Sequence, residues 1–246
     1  MNLEYSLLFS LISGLLIIAG GWIFASRRQW EKKYLDVFIA LGAGYILAVA
    51  FLDMIPEAYE GAPYTMLLVI LGYLIIQLFE HVFTPHFHYG EEIHQHLVSH
   101  LVGTTALIGL MVHNFFSGVA IASGMLAGFQ IGVTVFLGTV LHKLPEGFTI
   151  SSIIYVSHHS RRHSLMATVL LALSSIVGTV LIYILFQWID VPVKEIALAL
   201  SAGTFIHVAT TDLMPRVNEN QNKWLPAVVF LGVGLFWAST LLLGHH

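Results

Sequence analysis

The sequence predicts an all-α, polytopic membrane protein of eight transmembrane helices. Three observations lead there. Only 10% of the residues are charged, against roughly 25% in a soluble domain. Mean hydropathy is +0.82. The apolar residues fall in blocks of about twenty, the length at which a helix crosses ~30 Å of hydrocarbon. So few charges cannot cover the surface of a water-soluble globule.

The expected spans are 5–25, 35–55, 63–79, 97–125, 129–155, 165–188, 196–214 and 224–243. The third is short, and the fourth and fifth are long and carry polar residues. The first is not read as a signal peptide, because acidic Glu4 precedes it and the positive charges follow it. Residues 1–246 read as a single transmembrane domain with a His-rich loop at about 80–100.

Lys and Arg set the expected orientation. Arg27, Arg28, Lys32, Lys33, Arg161, Arg162, Arg216 and Lys223 fall in loops on one side of an eight-span chain. That is eight of the ten positive charges, so this side is taken as cytoplasmic and both termini as extracytoplasmic. Lys194 lies on the other side and Lys143 inside a span. The net charge of −4 suggests no nucleic-acid partner. The absence of cysteine excludes disulfides, thiolate metal sites and thiol catalysis.

The fourteen histidines are clustered. His81, His86, His88, His94, His96 and His100 share a loop with Glu80, Glu91 and Glu92, a composition that suits either loose metal buffering or a solvated linker. His158, His159 and His163 accompany Arg161 and Arg162, where a lipid headgroup or water is the expected partner.

Two pairs of segments resemble each other. Span two carries Asp53-Met54-Ile55-Pro56 and span seven Asp212-Leu213-Met214-Pro215, with Ala-Gly and Val-Ala in register upstream. Span four carries His113 through Gly118 and span five His142 through Gly147, with His and Gly at the same spacing. The paired spans run in opposite directions. This is the pattern of an inverted-topology repeat, which in transporters places substrate near the midplane.

Asp53, His113, His142, Lys143, Glu146, His207 and Asp212 all fall within or at the ends of apolar spans. Each charge at a helix centre costs about 2.5–3.5 kcal/mol on insertion scales, so these groups require partners, water or ions. Residues four apart share a helix face, so His142 and Glu146 project together, as do His113 and Ser117. Two antiparallel helices packed on those faces would join two imidazoles and a carboxylate, and Asp53 could add a second carboxylate. Two His and two carboxylates suit zinc or ferrous iron. Calcium and magnesium prefer oxygen alone. Pro145 cannot donate to the carbonyl of Leu141 and predicts a kink beside His142. Gly118 and Gly147 allow close helix approach.

These residues resemble the ZIP (Zrt-, Irt-like) family of metal transporters. The likeness lies in His113-Asn114 through Gly118, in His142-Lys143-Leu144-Pro145-Glu146-Gly147, and in the flanking segments 51–58 and 201–215. It implies a membrane importer, with no enzymatic activity and no catalytic cofactor, moving Zn²⁺ or Fe²⁺ toward the cytoplasm, with Mn²⁺, Co²⁺ and Cd²⁺ as further candidates. It also implies a homodimer surrounded by lipid. By position, His113, His142 and Glu146 would be ligands, and Asp53 sits where span two contributes one. Asn114 would belong to an adjacent second site in two-metal members, and Glu57 and Asp212 would be way-stations at the outer and inner mouths. Ser117 and Lys143 stand where carboxylates are usual, and span six offers Ser174 and Ser175 rather than Glu. A single metal site is therefore expected.

Two other readings remain open on the sequence. One is an integral-membrane zinc hydrolase, although no His-Glu-x-x-His motif is present. The other is a membrane sensor whose functional part is the His-rich loop.

Overall fold

A computed structural model describes residues 2–26, 32–62, 64–83, 100–158, 160–188, 192–220 and 222–244. The regular elements among the described residues are all helices, with no strand among them. The helices are α1 (Asn2–Ala25), α2 (Lys32–Val49), α3 (Ile55–Tyr59), α4 (Thr65–Phe83), α5 (His100–Ala127), α6 (Phe129–His158), α7 (Arg161–Trp188), α8 (Val193–His207), α9 (Met214–Glu219) and α10 (Leu225–Leu243). Most of the His-rich loop, residues 84–99, lies outside the described residues, as do Arg27, Arg28, His159, His245 and His246.

Six helical stretches are long and apolar enough to cross a membrane: Leu3–Ala25, Asp36–Tyr59, Gly103–Ala127, Arg161–Trp188, Val193–Glu219 and Leu225–Leu243. Thr65–Phe79 is apolar but shorter. α6 is long, at 30 residues, but carries His142, Lys143 and Glu146 and is not among the six. A polytopic, all-helical membrane protein is therefore established.

The helices pack in two groups. α1, α5, α6 and α7 contact one another extensively, while α4 packs on α8 and α2 on α10. α5 against α8 and α2 against α6 join the groups. Large apolar side chains such as Leu15, Trp22, Leu67, Val177, Phe230 and Trp237 face outward, as expected where lipid is the solvent.

Two helices differ from the expectation at their prolines. Instead of ending there, α2 widens into a π-helical segment, Ala50–Met54, and continues as α3. α8 does the same through Val208–Leu213 into α9. The N–H of Ile55 donates to Ala50 and that of Met214 to Ala209, each five residues back. Pro56 and Pro215 explain this. A proline ring collides with the carbonyl four residues earlier and has no N–H to give it, so the turn before it must open. Pro145 has no comparable effect: α6 remains α-helical from Phe129 to His158.

Glycine permits the closest helix contacts. A Cβ at Gly147 would overlap the Ile17 carbonyl of α1, and one at Gly118 the Ser175 carbonyl of α7. Gly234 on α10 has open space around it. Gly147→Ala is therefore expected to destabilise the protein by about 1–3 kcal/mol through overpacking. Gly234→Ala should be neutral or stabilising, because Ala is the better helix former by up to ~1 kcal/mol. Thermal denaturation in detergent compares the two, and equal Tm values would contradict the close contact.

Candidate metal centre

α5 and α6 lie side by side, and their facing residues build the centre. His142 and Glu146 are one helical turn apart on α6, and His113 faces them from α5. One ligand atom from each of the three lies within 4.8 Å of the others. His113 Nε2 is 3.9 Å and His142 Nε2 4.0 Å from Glu146 Oε2. The two imidazole centroids are 5.6 Å apart. All three side chains are buried, with exposures of 4%, 3% and 6% in chain order.

The imidazole of His142 is held by its own helix. Its Nδ1–H donates to the carbonyl of Gly138 at 3.1 Å, one turn back on α6. Nε2 then keeps its lone pair, is buried, and carries no hydrogen bond. A ligating histidine that gives its other N–H to a backbone carbonyl is the usual arrangement around a metal. The Nδ1 of His113 is likewise buried without a hydrogen bond.

Lys143 is fully buried between the same helices. Its Nζ lies 2.9 Å from Glu146 Oε2, 2.9 Å from Asn114 Oδ1, 3.1 Å from Ser117 Oγ and 3.4 Å from His113 Nε2, so three N–H donors are shared among four acceptors. Four acceptors thus surround one ammonium. Asn114 Nδ2 closes the ring by donating to Glu146 Oε1. The negative charge of Glu146 is therefore balanced, and Lys143 does not stand as an isolated repelling charge beside the imidazoles.

The other expected residues lie apart from the trio. Asp53, at the π segment, is buried and accepts a hydrogen bond from Thr134 of α6 at 2.6 Å. Glu57 on α3 pairs with Lys194 at 3.2 Å. Asp212 lines the same cavity as the trio. His207 donates from Nε2 to Gln77 at 2.9 Å and packs edge-on to Tyr73, between α8 and α4. The cavity measures about 30 Å³, enough for a water or a small ion. His113, His142 and Glu146 stand at one end. Leu110, Thr149, Val208, Asp212, Leu213, Arg216 and Ile39 carry it toward the side of the basic loops.

Gly138, Thr134 and Arg216 were not singled out as site residues from the sequence. The signals were present for two of them: Gly138 precedes His142 by one turn, and Arg216 follows Asp212 by one turn.

Buried in membrane helices beside a small cavity, two imidazoles and a carboxylate define a membrane protein with a cluster whose chemistry could hold a divalent cation. The comparisons with known proteins agree. A model of the ZIP zinc transporter family matches residues 4–102 and 88–241. The chain belongs to the ZIP family. It is similar to the zinc transporter ZupT of Nitratidesulfovibrio vulgaris, with 25% identity over 95% of each chain. It is also similar to an uncharacterized protein of Methanocaldococcus jannaschii, with 29% identity over 81% of this chain and 82% of that one. A third relative is the zinc transporter ZIP9 of Micropogonias undulatus, 27% identical over 72% of this chain and 63% of that one. The family is one of transporters, and the hydrolase reading is set aside.

Removing the Lys143 ammonium would strand the Glu146 carboxylate. Lys143→Ala is expected to cost the metal-free protein roughly 3–5 kcal/mol, the usual penalty for breaking a buried pair. Lys143→Met combined with Glu146→Gln should cost much less. Thermal melts of the two variants in detergent check this, and similar losses would mean that the pair is not energetically coupled.

Proposed function

We propose that the chain carries a divalent metal ion, zinc or ferrous iron, across the cell membrane toward the cytoplasm. The carrying observation is the buried convergence of His113, His142 and Glu146 within 4.8 Å on two adjacent helices. Zinc is favoured by the names of the relatives, and Mn²⁺, Co²⁺ and Cd²⁺ are further candidate cargoes.

In this reading residues 1–246 work as one transporter domain with eight membrane crossings. α4 and α6 complete the six apolar stretches. The two π segments, each two residues before a proline and each carrying the Asp of an Asp-x-x-Pro, support an inverted repeat of spans two and seven. Both termini face outward, and two copies associate within the lipid.

His113, His142 and Glu146 bind the cargo. Asp53 supplies a further carboxylate when the helices shift, and Asn114 holds Glu146 in place. Glu57 receives ions at the outer mouth and Asp212 passes them on at the inner one. The Lys143 ammonium takes the position a second cation would need, so one ion is bound at a time. The metal is cargo, and no catalytic cofactor is involved.

Metal uptake into proteoliposomes tests this directly. Zn²⁺, Fe²⁺, Mn²⁺, Co²⁺ and Cd²⁺ should be compared in parallel. His142→Ala and Glu146→Ala are each expected to abolish uptake. Undiminished flux in both would remove the site assignment. Deletion of residues 84–99 should leave flux intact, whereas a sensor built on the His-rich loop would lose its function with that segment.

A further inference from the structure

A charged pair beside the cavity lies outside the trio of candidate ligands. Arg216 lines the cavity four residues beyond Asp212. Its Nε lies 3.5 Å from Asp36 Oδ1, across the gap between α9 and α2. The second oxygen of Asp36 accepts from Asn220 Nδ2 at 2.7 Å. Asp36 is only 6% exposed, and its Oδ1 receives no hydrogen bond.

A guanidinium keeps its charge at any physiological pH. Placed on the wall of a narrow passage, it repels a doubly charged ion unless an anion cancels it, and low-dielectric walls strengthen that repulsion. Among the described residues, Asp36 is the anion within ion-pair distance of Arg216. The contact is single and long rather than a bidentate fork, which is the geometry that holds Arg rigidly. Arg216 can therefore swing from the passage, or toward Asp36, without breaking a network.

The geometry points to Asp36 and Arg216 as an electrostatic valve that sets how fast a divalent cation passes between the central trio and the basic-loop side. Asp36 acts through Arg216 and is a positioning residue. Asp212, on the same wall, offers the passing ion its next negative charge. This proposal rests on the cation-binding reading of the trio. It adds the element that controls rate on one side.

A valve alters rates in both directions and leaves equilibrium affinity alone, whereas a purely structural tie alters stability or the number of intact sites. The test is stopped-flow binding and release of Zn²⁺ by the detergent-solubilised full chain. Asp36→Asn, which leaves Arg216 uncompensated, is expected to slow association and release together by about tenfold. The Kd should stay within about twofold. Arg216→Gln should be as fast as the parent or faster, and the double variant should recover from the slow phenotype of Asp36→Asn. Unchanged rates in Asp36→Asn, or a double variant as slow as the single, would overturn the valve. So would a fall in zinc stoichiometry with unchanged rates at the remaining sites. His142→Ala is measured in parallel. Wild-type zinc binding in that variant would remove the central site and the valve with it. Lost binding there, beside unchanged rates in Asp36→Asn, would remove the valve alone.

Discussion

The carboxylate of Glu146 is the constraint around which this molecule is arranged. A bare anion at that depth would be costly, since burial strips away most of its hydration. The protein answers with Lys143 on one oxygen and Asn114 on the other. Lys143 then needs acceptors of its own, and Ser117, Asn114 and His113 supply them from α5. Burying one negative charge thus dictates the identity of side chains on both helices. Glycines at 118 and 147 act on the outer faces of the same two helices, letting α5 approach α7 and α6 approach α1, where any Cβ would strike a neighbouring backbone.

The resulting centre is polarised. On the Lys143 side the ammonium faces the acceptor atoms of Glu146, Asn114, Ser117 and His113. On the other side His142 turns a lone pair toward Glu146 and has no partner for it. His142 and Glu146 both line the cavity. In the proposed cycle the ion competes with the ammonium for Glu146, so binding is held in check by a charge that cannot diffuse away.

The prolines shape the two helices that carry Asp53 and Asp212. Opening the helix before Pro56 and before Pro215 changes the direction in which the preceding residues project. Asp53 and Asp212 belong to those turns. One is held by Thr134 of α6, and the other lies on the cavity wall beyond the trio. The same short motif therefore serves two places. The reason is steric: without its N–H, proline cannot continue the hydrogen-bond ladder.

Much of this was legible in the sequence, for reasons that also mark the limit. Apolar blocks of membrane length identify helices with no knowledge of their neighbours, and His142 with Glu146 share a face because an α-helix turns every 3.6 residues. The facing pair His113 could be read because its motif repeats that of His142 at the same spacing. Helix continuation past Pro56 and Pro215, the seat of Lys143 among four acceptors, and the partners of Asp53 and Asp36 could not. Thr134 and Asp53 are 81 positions apart, and Asn220 and Asp36 are 184. Local periodicity says which side chains share a helix face. Which faces meet, and at what register, is decided by the packing of all the helices at once, and only the tertiary structure contains that.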